Sequence, residues 1–212
     1  MDRRDWPLML AAGLLGVALV AVLAVALLGR GAGPAASGGV PAGSTDPTTS
    51  TRTPVELWGA YEQALSAAEG RMPDAALVSA STQWQHPDEQ ALLAGAFDWS
   101  FVFYSPEKQS TLDVVLASGM AQVVKETQVW VSPGVLGEGK WRAGPRDALL
   151  TFLAYGGRPF LEEHPEAVVD LNLGPGEAGT PVWTIVALDV GDRGVLAVSV
   201  DAESGAIVAG GS

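Results

Sequence analysis

The two histidines are the side chains of this sequence best suited to bind a metal or to exchange protons near neutral pH. His86 and His164 each precede a proline and have carboxylates within a few residues. Those carboxylates are Asp88, Glu89, Glu162, Glu163 and Glu166. Imidazole and carboxylate together could hold zinc, but the histidines lie in different segments and no third ligand is predicted to converge on either. We therefore predict no metal site and interpret both histidines as surface-loop residues.

The serines give little support for nucleophilic catalysis. No serine has the G-x-S-x-G spacing of a nucleophile elbow, and Ser118 and Ser204 are expected in turns. Glu162 and Glu163 are adjacent, so on a helix they would not face one another. A pair of carboxylates across a cleft, as in glycosidases, is left open by the sequence. We predict no catalytic residue and no cofactor, and hence a protein that is not an enzyme.

The run Asp189-Val190-Gly191-Asp192 has some likeness to a calcium-binding loop. It lacks the six or more oxygen ligands that calcium takes from a loop of regular spacing. The same residue types suit a tight turn between two strands. We therefore predict a hairpin turn over 189–194.

The composition excludes several classes of protein. There is no cysteine, which removes disulfides, thiolate metal sites, a cysteine nucleophile and a lipid-modified cysteine anchor. Residues 53–212 hold 21 of the 24 acidic and 8 of the 12 basic side chains. Because this negative charge repels phosphates and anionic lipid headgroups, we predict no nucleic-acid partner and a domain that stands off the membrane.

Six tryptophans after residue 52 are numerous enough to build a core. They are Trp58, Trp84, Trp99, Trp130, Trp141 and Trp183. Large aromatic side chains more often pack inside a domain than line its surface, so we predict that they belong to the core. A sugar- or peptide-binding surface made of tryptophans is the alternative.

An apolar segment near the N-terminus predicts a membrane anchor. Residues 7–28 contain no charged and no strongly polar side chain. In a helix they span about 33 Å, which matches a hydrocarbon core of about 30 Å. Arg3 and Arg4 precede the segment and only Arg30 follows it closely, so the positive charges keep residues 1–6 in the cytoplasm. We predict a single-pass protein of the cell membrane, in contact with lipid through 7–28, whose remaining chain is extracytoplasmic.

A cleaved signal peptide is the alternative reading of the same segment. Small residues at Ala24 and Ala26 would suit a cleavage site. However, signal peptides have an apolar stretch of only about 7–15 residues, and this one is longer.

Residues 29–52 are rich in Gly, Pro, Ala, Ser and Thr and lack apolar periodicity. Such a composition predicts a flexible linker with a reach of roughly 25–30 Å. The linker would let the following domain work close to the membrane surface.

Residues 53–132 are predicted to form a helix and an antiparallel meander. Thr53-Pro54-Val55-Glu56 has the pattern of a capping box at a helix start, and Gly70 has the residue type of a helix end. A polar loop is predicted over 86–90. The strands are predicted over 78–84, 97–103, 112–116 and 121–131.

Residues 144–212 repeat this order. Gly144-Pro145-Arg146-Asp147 opens a helix, and Gly156-Gly157 breaks it before a further helical turn over 159–163. The segment from His164 to Val169 mirrors the residues that follow the first helix. The strands of this part are predicted over 182–188, 195–200 and 206–208. The predicted fold class is therefore α+β: a transmembrane helix, a flexible linker and two helix-plus-antiparallel-meander units in tandem.

Three sequence features recur in the same order in both units. They are Pro-acid-Ala, an aromatic strand with Trp99 or Trp183, and a Ser-Gly turn, at offsets of about 92, 84 and 86 residues. The larger first offset predicts a shorter connection before the tryptophan strand in the second unit. We interpret the pattern as a duplication, with chance similarity of two α+β units as the alternative.

The second unit resembles a PepSY domain. Trp183 lies in its aromatic strand, and residues 198–208, VSVDAESGAIV, follow the family ending V-x-V-D-A-x-S/T-G-x-I/V. The motif positions are Trp183, Val200, Asp201 and Gly205, and we assign them structural roles. Asp201 can cap the turn with its side chain, and Gly205 can take a left-handed conformation. The first unit lacks the aspartate at the corresponding place, so its membership is inferred from the repeat alone.

The resemblance implies a protein-interaction module without chemistry of its own. PepSY domains are thought to bind or inhibit peptidases, or to act as sensing modules beside membrane proteins. We therefore expect a membrane-tethered extracytoplasmic module that regulates or senses an envelope protein, with a peptidase as one candidate. The alternative is a sensor of a small ligand or a cell-wall polymer, which a concave pocket lined by tryptophans would favour.

Overall fold

The computed structural model describes residues 54–137, 141–176 and 179–211. The predicted cytoplasmic residues 1–6, membrane helix 7–28 and linker 29–52 lie outside the described residues. Among the residues that are described, no helix has the length and apolar character needed to cross a membrane.

The described chain from residue 54 onward is a mixed α/β structure with one antiparallel sheet and a few helices. The first half contains α1 (Leu57–Glu69), β1 (Ala76–Gln85), α2 (Glu89–Ala94), β2 (Trp99–Ser105), β3 (Ser110–Ala117) and β4 (Met120–Gln128). The second half contains α3 (Pro145–Phe152), a wide turn (Leu153–Gly157), α4 (Arg158–Glu163), β5 (Val168–Pro175), β6 (Pro181–Asp189), β7 (Gly194–Asp201) and β8 (Ile207–Gly211). Each predicted strand is present, with ends that differ by at most three residues.

Helix α1 forms because small and apolar residues recur at helical spacing along one side. Leu57, Ala60, Ala64 and Ala68 are buried, and this side packs on β2, β3 and β4. Gly70 ends the helix as predicted. The predicted capping box is wrong, because Glu56 is itself the N-cap residue and makes no side-chain capping bond.

The prediction of a plain polar loop over 86–90 is also wrong, because a short helix begins there. The Asp88 carboxylate accepts a hydrogen bond from the backbone N–H of Ala91 at 2.7 Å, which caps α2. Glu89 then accepts two hydrogen bonds from the Arg158 guanidinium, at 2.7 and 2.9 Å. Helix α2 lengthens the connection between β1 and β2, in agreement with the predicted difference in spacing between the two halves.

The helical part of the second half is broken as predicted. The carboxylate of Asp147 accepts a hydrogen bond from the Gly144 N–H at 2.9 Å and so caps α3. At Gly156 the backbone takes φ +111°, a conformation that interrupts the helix and that glycine adopts without strain. Helix α4 follows after this break and ends at Glu163.

The eight strands of the described residues form one sheet in the order β4-β3-β2-β1-β5-β6-β7-β8. Every pair of neighbours is antiparallel, and the β1–β5 pair at the centre joins the two halves. Strand β5 continues through residues 170–175, beyond the segment 164–169 that is predicted to match the first half. The two predicted units thus share a continuous sheet.

The strand pairing on the two sides of the central β1–β5 pair brings together corresponding positions of the two halves. Ser81 of β1 lies opposite Asn172 of β5. Ser81 also pairs with Ser100 of β2, and Asn172 pairs with Thr184 of β6. Ser100 and Thr184 each directly follow the tryptophan of their strand. The halves therefore have corresponding strands in corresponding registers.

The two faces of the sheet differ in chemistry. One face is apolar and buried, and it packs with the helices in a single core. The cross-strand row Val114, Phe101, Ala80, Leu173, Trp183 and Val200 runs across that face. The residues between them are half-buried and include many small polar side chains, such as Ser81, Asn172 and Ser199, beside several valines. The helices thus cover one face and leave the polar face open.

Asp170 on the open face is expected to make the stability of the sheet depend on pH. Burial raises the pKa of its carboxyl above the usual 3.8, and a hydrogen bond from Gln83, 2.7 Å long, lowers it in part. A carboxyl whose pKa is raised by folding favours the folded state only below about pH 3.8, and it costs stability once ionised. We expect Asp170→Asn to increase the free energy of unfolding at pH 7 by less than about 1 kcal/mol. Urea unfolding at pH 7 and pH 3 measures this, and the gain should vanish at pH 3.

Asp113 provides the comparison for that experiment. Its pKa is also raised by burial, but Lys125 on β4 opposes the shift. Asp113→Asn gives up the attraction to Lys125, whereas Asp170→Asn keeps an oxygen that can accept from Gln83, so Asp113→Asn should gain less at pH 7. Equal gains at pH 3 and pH 7 would show that desolvation of the carboxylate is not the cause.

Candidate functional site

Trp183 is fully buried and anchors the entry to α3. Its indole N–H donates to the carbonyl of Ala143 at 2.8 Å, and the Ala143 N–H donates to the carbonyl of Ala202 at 2.8 Å. Trp99 in the first half donates in the same way to the carbonyl of Val55, at 3.2 Å. In both halves the accepting residue lies two positions before the helix begins.

The turn after β7 is built around Asp201, as its residue types predicted. One carboxylate oxygen accepts from the backbone N–H groups of Glu203 (3.0 Å) and Ser204 (2.7 Å) and from the Ser204 hydroxyl (2.8 Å). These bonds to Ser204 and Glu203 hold the pKa of Asp201 below its usual value. Gly205 has φ +75°, and Val200 is buried opposite Trp183. The structural roles assigned to the four motif residues stay a prediction, which the substitutions of Trp183 in the Discussion test.

Strand β8 follows this turn and forms one edge of the sheet. Its five residues, Ile207–Gly211, are all exposed and carry no charge. The opposite edge, β4, contains Lys125 and Glu126. Charged residues protect an edge strand from pairing with other chains, so β8 is the less protected edge.

His86 lies at the surface as predicted, whereas the surface assignment of His164 is wrong. The His86 side chain is 51% exposed and its Nδ1 lies 3.3 Å from a carboxylate oxygen of Glu166. The His164 side chain is only 15% exposed. Its ring packs on Phe160, with 4.5 Å between ring centroids, and on Gly194 of the β6–β7 hairpin. The end of α4 turns this ring inward, and the absence of a side chain at Gly194 leaves room for it.

The hairpin turn predicted over 189–194 is present, and it brings two aspartates to His164. Asp189 Oδ2 lies 3.3 Å and Asp192 Oδ2 lies 4.0 Å from His164 Nδ1. Asp189 Oδ1 accepts from the backbone N–H groups of Gly191 (2.8 Å) and Asp192 (3.2 Å). These backbone bonds, led by that of Asp192, and the nearby His164 hold the pKa of Asp189 below its usual value.

The tryptophans divide between core and surface. Trp84, Trp99, Trp141 and Trp183 are buried as predicted. The core assignment is wrong for two tryptophans, which are exposed. Trp58 stacks on Trp141 with 4.5 Å between ring centroids, and Trp130 is 96% exposed. Within the described residues, a shallow open depression near α1 is lined by Glu62, Gln63, Ser66, Ala67 and Ala121, with no tryptophan.

A scan of known families finds a match, which lies in the second half. Residues 160–209 match the PepSY family, described as "Peptidase propeptide and YPEB domain". The matched segment runs from α4 into β8 and includes Trp183, Asp201 and Gly205. PepSY domains are propeptide or regulatory modules and are generally non-catalytic, so the match indicates no catalytic family and fits an extracytoplasmic module. The match does not extend to the first half, whose relation to the family stays a prediction.

Two further comparisons concern whole chains. No curated protein matches this sequence. A crystal structure of a putative lipoprotein from Clostridium difficile 630 is similar at 13% sequence identity, with a TM-score of 0.47. The similarity covers 71% of this chain and 91% of that chain.

Proposed function

We propose that the domain is a non-catalytic interaction module, held outside the cell membrane by residues 7–28, that docks an extended segment of an envelope protein along β8. The observation that carries the proposal is the uncharged and fully exposed β8 edge. An edge strand presents unpaired backbone N–H and C=O groups, and an extended peptide can add to them as a further strand. A peptidase is the class of partner that the PepSY match favours.

The chemistry of the edge restricts the incoming segment. Ala209, Gly210 and Gly211 have small side chains or none, so a partner backbone can approach without displacing them. The negative charge of residues 53–212 favours a segment that is uncharged or basic over an acidic one. The partner strand is therefore expected to combine small or β-branched residues with lysine or arginine.

We propose in addition that the first half is a divergent second PepSY-like unit. The paired registers about Ser81 and Asn172 support it, as do the matching indole hydrogen bonds of Trp99 and Trp183. On this reading the two units arose by duplication and were joined edge to edge through β1 and β5. Their remaining edges, β4 and β8, then diverged in charge.

A site-specific crosslink tests the docking proposal. A photoreactive residue at Val208 of the full chain in its native membrane should form an adduct with one extracytoplasmic protein. The same residue at Val124 of β4 is the matched control, since both positions are exposed residues of edge strands. The adduct should map to an extended segment of the partner, and no such adduct should form from Val124.

A peptide of the mapped sequence makes the test quantitative. It should bind the full chain and slow hydrogen exchange at β8 amides. Val208→Lys should weaken binding about tenfold or more because it places a charge in the docking edge, whereas Val124→Lys should leave binding unchanged. An adduct that maps to a helix, or a peptide that binds without protecting β8, would contradict the proposal.

A further inference from the structure

One nitrogen and two carboxylate groups converge at the junction of α4 with the β6–β7 hairpin. His164 Nδ1 and carboxylate oxygens of Asp189 and Asp192 lie within 4.8 Å of one another. Histidine and aspartate are both common ligands of divalent transition metals. The set comes from two segments of the chain, namely the residue after α4 and the β6–β7 hairpin.

The distances suit a shared ion. A metal that binds nitrogen and oxygen at about 2.0–2.2 Å in tetrahedral geometry holds its ligand atoms roughly 3.3–3.5 Å apart. His164 Nδ1 and Asp189 Oδ2 are already 3.3 Å apart. Asp192 Oδ2 is 4.0 Å from the same nitrogen, and the Asp192 side chain is 75% exposed, so it is free to close the remaining gap.

The histidine nitrogen that faces the two aspartates lacks a hydrogen-bond partner among the described residues. His164 Nδ1 is buried and makes no hydrogen bond within the described part of the chain, although Asp189 Oδ2 lies 3.3 Å from it. Buried polar atoms nearly always have a hydrogen-bond partner. An unpartnered nitrogen in a packed imidazole ring therefore requires an explanation. A cation between Nδ1 and the carboxylates would supply the missing partner.

The surroundings hold two of the three ligands in place. Asp189 Oδ1 is occupied by the backbone N–H groups of Gly191 and Asp192, which leaves Oδ2 directed at His164. The His164 ring is packed between Phe160 and Gly194. Ligands fixed by such supporting contacts lose less freedom when a metal binds.

We propose that His164, Asp189 and Asp192 form a binding site for a divalent transition-metal ion of the zinc class, with water completing the coordination shell. The ion would link the end of α4 to the β6–β7 hairpin. In a chain that has no cysteine, it would serve as the crosslink that a disulfide provides in other extracytoplasmic domains. The site is independent of the β8 edge.

Zinc titration of the full chain in detergent tests this proposal by isothermal calorimetry. We expect one zinc ion per chain and a thermal unfolding midpoint that rises with zinc concentration. Asp192→Asn should lower the zinc affinity about tenfold or more, and this exposed residue can be replaced without disturbing the core. His164→Gln should have the same effect.

His86 supplies the matched control. It lies at the same 3.3 Å from a single carboxylate, Glu166, but it is exposed, and the described residues place no third ligand beside it. His86→Gln should leave zinc affinity unchanged, and magnesium should not raise the unfolding midpoint. The proposal is overturned if the native chain binds no zinc, or if Asp192→Asn binds zinc as tightly as the native chain does. It is likewise overturned if His86→Gln loses as much affinity as His164→Gln.

Discussion

Replacement of Trp183 by alanine is expected to lower the free energy of unfolding by about 3–5 kcal/mol. The indole is fully buried on the apolar face of the sheet, so the substitution leaves a large cavity between β5 and β7. It also removes the donor to the Ala143 carbonyl at the entry to α3. Since domains of this size are stable by only about 5–15 kcal/mol, urea unfolding followed by circular dichroism should show a large shift or no folded state.

Trp183→Phe separates the two causes. Phenylalanine keeps an aromatic ring in the core but cannot donate a hydrogen bond to Ala143. We expect Trp183→Phe to lower the free energy of unfolding by about 1–3 kcal/mol, clearly less than Trp183→Ala. Most of this loss should come from the smaller ring and from the Ala143 carbonyl that is left without its donor. If Trp183→Ala is nearly neutral, the indole does not fill the core between the strands, and the assignment of this motif residue to a structural role is wrong.

Replacement of Ala80 by aspartate is the second change expected to have a large effect. Ala80 is wholly buried in β1, with Phe101 on one side and Leu173 on the other. An aspartate there would place an unpaired carboxylate in the core at the join of the two halves. An uncompensated buried charge costs about 3–5 kcal/mol, which would leave little or no stable fold. Hydrogen exchange or urea unfolding at pH 7 measures the loss.

Ser81→Asp is the matched control because it adds the same charge at the next residue. Its side chain lies on the open face, opposite Ser100 and Asn172, so the added carboxylate stays in contact with water. We expect a change within about 1 kcal/mol. A loss as large as that of Ala80→Asp would mean that the polar face is also covered.

The strands and turns were predictable because their signals are local. Alternating apolar residues indicated β2 and β6, and Asp201 and Gly205 marked the last turn by residue type alone. The entry to α1 was predicted wrongly because Glu56 matched the third helical position of a capping box, whereas the helix begins one residue after it. Helix α2 was missed because its six residues are too few to show a period.

The grouping of His164 with the hairpin aspartates could not be predicted, because it depends on long-range packing. Asp189 and Asp192 were recognised as a turn, and His164 was recognised as a residue near acids. The acids near it in sequence, Glu162 and Glu163, are exposed, whereas Asp189 reaches it only through the pairing of β5 with β6. The single local signal was Gly194, whose missing side chain leaves space for the ring.

The central β1–β5 pair has a consequence for folding during synthesis of the chain. Ala80 and Leu173 pair although about 90 residues separate them, so β1 has no partner on that side until almost the whole chain has been synthesised. Pairing at such sequence separation is slow, and an unpaired strand edge invites association with other chains. The half-completed sheet is therefore the stage at which the chain is most open to association with other chains. For the same reason, a fragment limited to residues 144–212 would carry β5 as an open edge with Leu171 and Leu173 beside it.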